Sequence, residues 1–565
     1  MTSSAHTVPD RWDQEVDFVV VGSGGGALTG AAVAALGGAS VVVLEKTEFV
    51  GGTTAVSGGG FWIPLNRHMA EVGLDDSRDD ALSYLRASSG GTGDDDILIA
   101  LVDNGAPMVE LLEDQIGLQF RPWPAQGGTI DYRPELPGAR HGGRTLDAGK
   151  VALTSLGEWA PRLRLGPNSA WTMDKLVSYA ERHHVAVPDA NRPRRPAGQA
   201  VNEHVANGAA LIAQLLRGCL AQGVTVHVDT PADHLVVDEG RVVGVKATRA
   251  GAPYAVRARY GVLMATGGFA HNDELKRLWL DRPIDYSCEI LENRGDGHLM
   301  GMAIGAQMAG LGDAWWMMHG AGHNNRYSPH TMVVNKHGKR FCNDALNYYD
   351  FGVQFGTKRD SADGTPKNLP AWMVFDSQGT SKYQVLDDLV KAGRAQRAKP
   401  LPPSKTAAPL VLTEADTVAG LAEQLGIPAD ELQATVERFN GFARTGKDLD
   451  FGRGDSRWTT DGWGDPNHRP NPALGTVEQG PFFAIQIFPG ALSTRGGLRV
   501  NGNSEVLSAT DGEPIPGLYA AGNCSNGAAP LSYPGPGATI GASMTFGYLA
   551  ARQVLAHRRQ DLAAV

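Results

Sequence analysis

Apolar residues follow two rhythms along this chain. Short unbroken runs predict strands buried on both faces, as in a parallel sheet: Asp17-Phe-Val-Val-Val21, Val41-Val-Val-Leu44, Gly261 to Gly268, and Gly517 to Asn523. Val224 to Val228 reads as a further strand. Ala232 to Ala247 reads as a hairpin turning at Asp238-Glu-Gly240. Elsewhere the period is that of an amphipathic helix, predicting helices over 79–86, 96–112, 209–222, 428–443 and 538–555. In the fourth of these, Pro428 opens the first turn, and Leu432, Val436 and Phe439 share one face. Ile130 to Pro137 is expected to be extended, because proline disfavours helix in the residue before it, with Arg144 closing that loop. Residues 150–206, 366–408 and 446–472 read as irregular. Within the first, Arg192-Pro-Arg-Arg-Pro196 reads as a solvated loop, with an anion site as the alternative. Trp315, Trp316, Met302, Met308, Met317, Met318 and His319 suggest either an apolar chamber or ordinary core.

The first strand runs at once into Gly22-Ser-Gly24-Gly-Gly-Ala27, and Glu45 ends the second. Strand, glycine turn, helix, strand and acid form the GxGxxA variant of the dinucleotide fingerprint. Gly22 permits the tight turn, Gly24 lets backbone approach a pyrophosphate, and Ala27 allows close helix–sheet packing. The helix start offers unpaired N–H groups to phosphate. Glu45, about 20 residues on, sits where an acid takes ribose hydroxyls. A bare glycine-rich core helix would leave Glu45 without a role. A second glycine cluster follows, Gly51-Gly-Thr-Thr54, Ser57 and Gly58-Gly-Gly60. It is typical of FAD rather than NAD proteins. With Glu45-Lys46 it resembles the corresponding stretch of the fumarate reductase/succinate dehydrogenase flavoprotein superfamily.

Composition narrows the partners. The 565 residues allow several domains, and a net charge of −10 argues against a nucleic-acid partner. Cys219, Cys288, Cys342 and Cys524 are far apart and match no zinc, haem or iron–sulfur spacing. No metal is therefore expected, and electrons must leave to something external, a quinone-like acceptor or one the sequence does not identify. No secretory pattern follows Met1, and Val16 to Leu44 reads as a strand–helix–strand unit rather than a membrane span. A cytoplasmic protein with at most transient membrane contact is the expectation.

Four stretches resemble the 3-ketosteroid Δ1-dehydrogenase family. They are Ser57-Gly-Gly-Gly-Phe-Trp-Ile-Pro64, Asp131-Tyr-Arg-Pro-Glu-Leu-Pro-Gly138, Gly338 to Tyr348, and Tyr533-Pro-Gly-Pro-Gly-Ala-Thr-Ile-Gly541. The resemblance runs nearly end to end. It implies an α/β fold: a split Rossmann-like FAD-binding domain, 1–280 with 488–565, and an inserted α+β catalytic domain, 281–487. It implies FAD as cofactor and a 3-ketosteroid as substrate, losing a proton from C2 and a hydride from C1. FAD is expected to be held by Gly22, Gly24, Gly25, Ala27, Glu45, Lys46, Gly52, Thr53, Thr54, Ser57, Gly58, Gly59, Thr266, Gly267, Gly268, Gly522, Asn523, Gly537, Ala538, Thr539 and Ile540.

The resemblance assigns the chemistry to four residues. Tyr533 and the Gly537 N–H match the pair that polarises the C3 carbonyl. Without a side chain, Gly537 would also let the ketone come close. Tyr348 matches the proton acceptor, with Tyr349 as an adjacent competitor, and Tyr132 the assisting tyrosine. A tyrosine of ordinary pKa near 10 needs a positive field or donor to act as a base. The chain departs from the family at Asp344, Asn347 and Ser532, which puts substrate preference more than reaction type in question. A 3-ketosteroid Δ4-(5α)-dehydrogenase is the nearer alternative. A fumarate-reductase-like enoate reductase fits less well, because Tyr348 stands where those enzymes carry arginine and Leu492 to Gly497 lacks histidine. A non-catalytic flavin- or steroid-binding protein would leave the tyrosines idle.

Overall fold

The computed structural model describes residues 6–123, 130–166, 169, 204–320, 325–356, 359–400, 404–527 and 532–564. Strand β1 (Gln14–Val21), helix α1 (Gly25–Leu36) and strand β2 (Val41–Leu44) form the expected crossover unit. β1 lies parallel between β2 and strand Ala252–Met264. Thr225–His227 extends the sheet beyond β2, and Pro514–Ala520 pairs in parallel with the far side of Ala252–Met264. Ala232–Asp238 and Arg241–Arg249 form the hairpin, joined antiparallel to Ala252–Met264. The parts of the central strands nearest the cleft, Val16 to Val21, Val41–Leu44 and Gly261 to Met264, are buried throughout, with α1 packed against them.

The last parallel strand therefore comes from the end of the chain. Between the two contributions lies a separate four-stranded antiparallel sheet, in the order Thr331–Asn335, Ala371–Asp376, Phe482–Ile487, Leu412–Ala415. The border near residue 488 is not clean: Gly490–Thr494 pairs with Tyr286–Ser287 and with Ala314–Trp316.

The helices predicted by period appear at Arg78–Ser88, Asp95–Asp114, Asn207–Ala221, Ala429–Thr445 and Ala538–Ala564. The 366–408 stretch is a correction. Ala371-Trp-Met-Val-Phe-Asp376 is a fully buried strand inside the second sheet, and Gln384–Ala398 is a helix with Leu386, Leu389 and Val390 inward. Their short apolar signals are diluted by the polar turns around them. Ile130 to Pro137 forms turns rather than a strand. The Arg192–Pro196 run lies outside the described residues. The apolar chamber is not a single enclosure: Met302 is 45 % exposed, Met318 packs in the second sheet's core, and Trp315 is wholly buried elsewhere.

Candidate active site

Two sites are built side by side. The first is a cleft at the carboxyl ends of the parallel strands, where open α/β sheets bind ligands. Gly22, Gly24, Gly25 and Ala27 line one wall, and Glu45, Lys46, Gly52, Thr53 and Thr54 another. Thr266, Gly267, Gly522 and Asn523 close it. Gly22 is required by its surroundings: at φ +103° an added Cβ would lie 2.3 Å from the Ala265 carbonyl oxygen. α1 starts behind Gly24, its Gly25 N–H donates to the Thr54 hydroxyl at 3.2 Å, and its N-terminal end lies against the cleft. This donor set, with an acid at the end of β2, suits the pyrophosphate and ribose of a dinucleotide.

Residues absent from the sequence reading complete the cleft. The Ser23 hydroxyl donates to Glu45 at 2.5 Å and accepts from Gly51 N–H at 2.9 Å, binding the two glycine clusters together. Asn293 lines the cleft and donates to Thr53 at 3.1 Å. Lys46 pairs with Asp296 at 2.5 Å. Ser23 is a wildcard position inside the fingerprint, and Asn293 lies far away in sequence, so neither left a local signal.

Other expected residues lie off the cleft lining. The Ser57 hydroxyl donates to the Thr54 carbonyl, and Gly59 packs against the Asn207 backbone. Gly268 N–H is taken by the Glu289 carboxylate at 3.1 Å. Gly58, Ala538, Thr539 and Ile540 also stand outside it.

Glu289 is buried. It accepts from Gly268 and Ala270 N–H, from Asn293 and from the Ser493 hydroxyl, yet burial pushes its pKa up to about 7.

The second site is a cluster of tyrosines. The Tyr132 ring lies 5.3 Å from that of Tyr348 and stacks 5.3 Å from that of Tyr533; Tyr348 and Tyr533 are 5.5 Å apart. Trp458 and Trp315 flank them edge-on, at 4.9 Å from Tyr132 and 5.2 Å from Tyr533. The three hydroxyls are close enough to influence one another's ionisation. The Gly537 N–H and the Thr539 hydroxyl are donors near the Tyr533 hydroxyl. Both donors hold its pKa down, but burial outweighs them and raises it. Tyr533 and Gly537 thus converge on one point at the start of the last helix.

The loops are stitched together. Tyr132 N–H and the Tyr84 hydroxyl both donate to the Pro534 carbonyl, at 2.9 and 2.5 Å. Thr145 donates to the Pro536 carbonyl at 2.8 Å. Buried Arg144 grips Asp131 and Asp76, each at 2.7 Å. Its place in the loop is therefore structural.

Two expectations change. The space beside Gly537 is filled by protein: a Cβ there, at φ +85°, would lie 2.2 Å from the Gly60 carbonyl oxygen. The glycine is needed for that approach, not to admit a ketone. Second, burial raises the Tyr348 pKa well above 10, the neighbouring Tyr132 and Tyr533 raise it further, and no cation is among its main influences. Tyr348 keeps its proton at neutral pH in this arrangement.

The FAD binding domain family matches residues 17–540. A 4-oxocyclohexanecarboxylate 2-dehydrogenase of Sinomonas cyclohexanicum is 39% identical, covering 95% of this chain and 92% of that protein. A 3-oxosteroid 1-dehydrogenase of Mycolicibacterium smegmatis is 37% identical, covering 96% and 98%. The crystal structure of a 3-ketosteroid delta1-dehydrogenase from Sterolibacterium denitrificans, in complex with 1,4-androstadiene-3,17-dione, superposes with a TM-score of 0.82. It is 31% identical and covers 96% of this chain and 100% of that one. A glycine-lined dinucleotide cleft opening beside a tyrosine cluster thus accompanies likeness over almost the whole chain, which belongs to the FAD-binding flavoprotein family that includes the 3-oxosteroid 1-dehydrogenases.

Proposed function

We propose that this protein is an FAD-dependent dehydrogenase that introduces a double bond beside the carbonyl of a ring ketone, as a 3-ketosteroid Δ1-dehydrogenase. The observation carrying this is the meeting of Tyr132, Tyr348, Tyr533 and the Gly537 N–H at one place. Bound FAD supplies the hydride acceptor for the hydrogen leaving C1. The chain's own residues manage the proton. Tyr533 and Gly537 donate to the ketone oxygen, which acidifies the C2 hydrogen. Tyr348 takes that proton as its own passes to Tyr132 and the Tyr132 proton passes on to solvent water, so each phenol oxygen ends with one proton and no phenolate accumulates. Such a relay is consistent with the raised pKa values of both groups.

The division into 1–280, 281–487 and 488–565 is supported by the return of Pro514–Ala520 to the first sheet. The electron acceptor is external and quinone-like. Among the described residues no helix is long and apolar enough to cross a membrane, and a cytoplasmic location is part of the proposal.

A second reading keeps the chemistry and shrinks the ring. The Sinomonas relative, named for 4-oxocyclohexanecarboxylate, is 39% identical. One experiment separates the two: anaerobic bleaching of the purified yellow protein by androst-4-ene-3,17-dione and by 4-oxocyclohexanecarboxylate, with products identified. Bleaching by the steroid with formation of the 1,4-diene supports the first reading. Bleaching by the oxo acid alone overturns it in favour of the second.

A further inference from the structure

The three tyrosines come from distant stretches of chain, so regular secondary structure alone does not fix their spacing. Their immediate neighbours do. Arg133 follows Tyr132, Asn347 precedes Tyr348 and Ser532 precedes Tyr533. Arg133 Nε and Nη2 grip the Asp350 carboxylate at 3.0 and 2.5 Å, in the first turn of the short helix that begins at Tyr348. Through Nη1 the same guanidinium donates to Ser532 Oγ at 3.1 Å and to the Ser88 carbonyl. The Asn347 side chain accepts from Asp350 N–H at 2.9 Å, and donates to Asp350 Oδ2 at 2.7 Å and to the Tyr132 carbonyl at 3.3 Å. One ion pair therefore ties together all three segments, across 217 and 399 residues of sequence.

The chemistry suits that role. A guanidinium presents its donors in a fixed planar fork, so it can hold a carboxylate on one edge and a hydroxyl on another; an ammonium has no such geometry. The two side chains are only 26 % and 17 % exposed, which limits screening. Charges on the facing wall are already matched, Asp313 with Arg495 at 3.2 Å and Arg282 with Asp281 at 2.9 Å. Neither can stand in for a lost partner. Proton transfer depends steeply on the separation of the reacting groups.

We propose that Arg133 and Asp350 are positioning residues. Their ion pair, extended by Asn347 and Ser532, holds Tyr132, Tyr348 and Tyr533 at the spacing that lets a ketone be polarised at one end and deprotonated at C2. This rests on the ring-ketone desaturation proposed above, and wild-type turnover tests that reading separately. The experiment compares wild-type holoenzyme with Arg133→Lys, Asp350→Asn and Asp350→Glu, using ketone deuterated at C1 or at C2. For Arg133→Lys and Asp350→Asn the expected result is a ~10–100-fold lower kcat, with KM within about 3-fold and normal FAD content. The isotope effect should grow at C2 and not at C1, and Asp350→Glu should recover part of the rate. A purely architectural pair would slow both bond cleavages alike. Unchanged kcat, or a loss with unaltered isotope effects, overturns the proposal while wild-type turnover leaves the reaction intact. If the charge variants fail to fold, Ser532→Ala removes one hydroxyl contact and is read by the same C2 isotope effect: growth supports the proposal and no change overturns it.

Discussion

The cofactor cleft and the tyrosine cluster adjoin, yet they are specified in opposite ways. The cleft is made largely of backbone, and half of its lining comes from residues 21–54, the crossover unit and the short helix after it. Its glycines matter for what they lack. The cluster is made of side chains that start at positions 132, 348 and 533 and meet only in the finished fold. A site of the first kind tolerates change elsewhere in the protein. A site of the second kind is only as good as the contacts that bring its segments together.

The largest expected effect tests the cluster alone. Tyr533→Phe and Tyr348→Phe should each lower kcat by ~10²–10³-fold, since a lost oxyanion donor and a lost proton acceptor are each worth about that much. FAD content should stay normal because no cofactor contact is touched. Tyr132→Phe should lower kcat comparably if the relay runs through it, and less if Tyr132 only assists. Steady-state kinetics with flavin absorbance measures both quantities. Tyr349 is the informative control: its ring is 5.9 Å from Tyr533, but beyond burial its hydroxyl is influenced by Asp313 and Arg495 rather than by the other tyrosines. A dead Tyr349→Phe beside an active Tyr348→Phe would shift the proton acceptor by one residue.

Glycine substitutions sharpen the contrast. Gly537→Ala should destabilise the fold by about 2–4 kcal/mol, since a Cβ at positive φ would strike the Gly60 backbone. Activity should vanish together with thermal stability. A Cβ on Gly58 meets nothing within 4 Å. Gly58→Ala should therefore leave the melting temperature of the cofactor-free protein unchanged, and any loss of FAD content would identify Gly58 as a cofactor contact. A stable, inactive Gly537→Ala would restore the earlier idea that the glycine makes room for the ketone.

The same contrast explains what could be read from the sequence. β1, α1, β2 and Glu45 carry their signal within 30 residues, because burial on both faces and the need for a bare backbone leave few allowed residue types. The strand Ala371–Asp376 is just as buried, but its six residues carry no period and have no glycine turn beside them to mark them. For the tyrosines, no pattern in the chain says that positions 132, 348 and 533 meet; only family resemblance picked them out. Arg133, Asp350 and Glu289 were passed over because a charged residue in a polar loop looks the same whether or not it finds a distant partner. Asn347 and Ser532 stood out as departures from the family, and the fold shows both inside the network that joins the tyrosines.

A smaller effect is expected from Ser23, the hinge between the two glycine clusters. Ser23→Ala removes the donor to Glu45 and the acceptor for Gly51 N–H, two hydrogen bonds net worth about 1 kcal/mol each. FAD should bind ~5–30-fold more weakly to the apoprotein, measured by fluorescence quenching. kcat at saturating FAD should hold within about 2-fold, since the tyrosines are untouched.

A different kind of effect, on the pH dependence of stability rather than on turnover, concerns Glu289, which lies between the regions and is bonded to both. Asn293 connects it to the cleft, and the chain Ser493, Asn523, Trp315 leads towards the tyrosines. Its folded pKa is about 7 against an ordinary 4.5, raised chiefly by burial. Between those values the folded protein retains a proton that the unfolded chain has released, so stability must fall as pH rises from about 4.5 to 7. Above pH 7 the full cost is present, on the order of 3 kcal/mol by linkage. Glu289→Gln has no proton to lose and should lack this slope. It forfeits an acceptor for the four surrounding donors, so it should be the less stable protein at pH 5, with the gap narrowing towards pH 8. Denaturant midpoints of both proteins across that range give the difference directly, free of the other titrating groups they share. A gap that stays constant means Glu289 is ionised throughout, with its four donors outweighing burial; a gap that narrows means the carboxyl linking the two sites carries a proton over part of the physiological range.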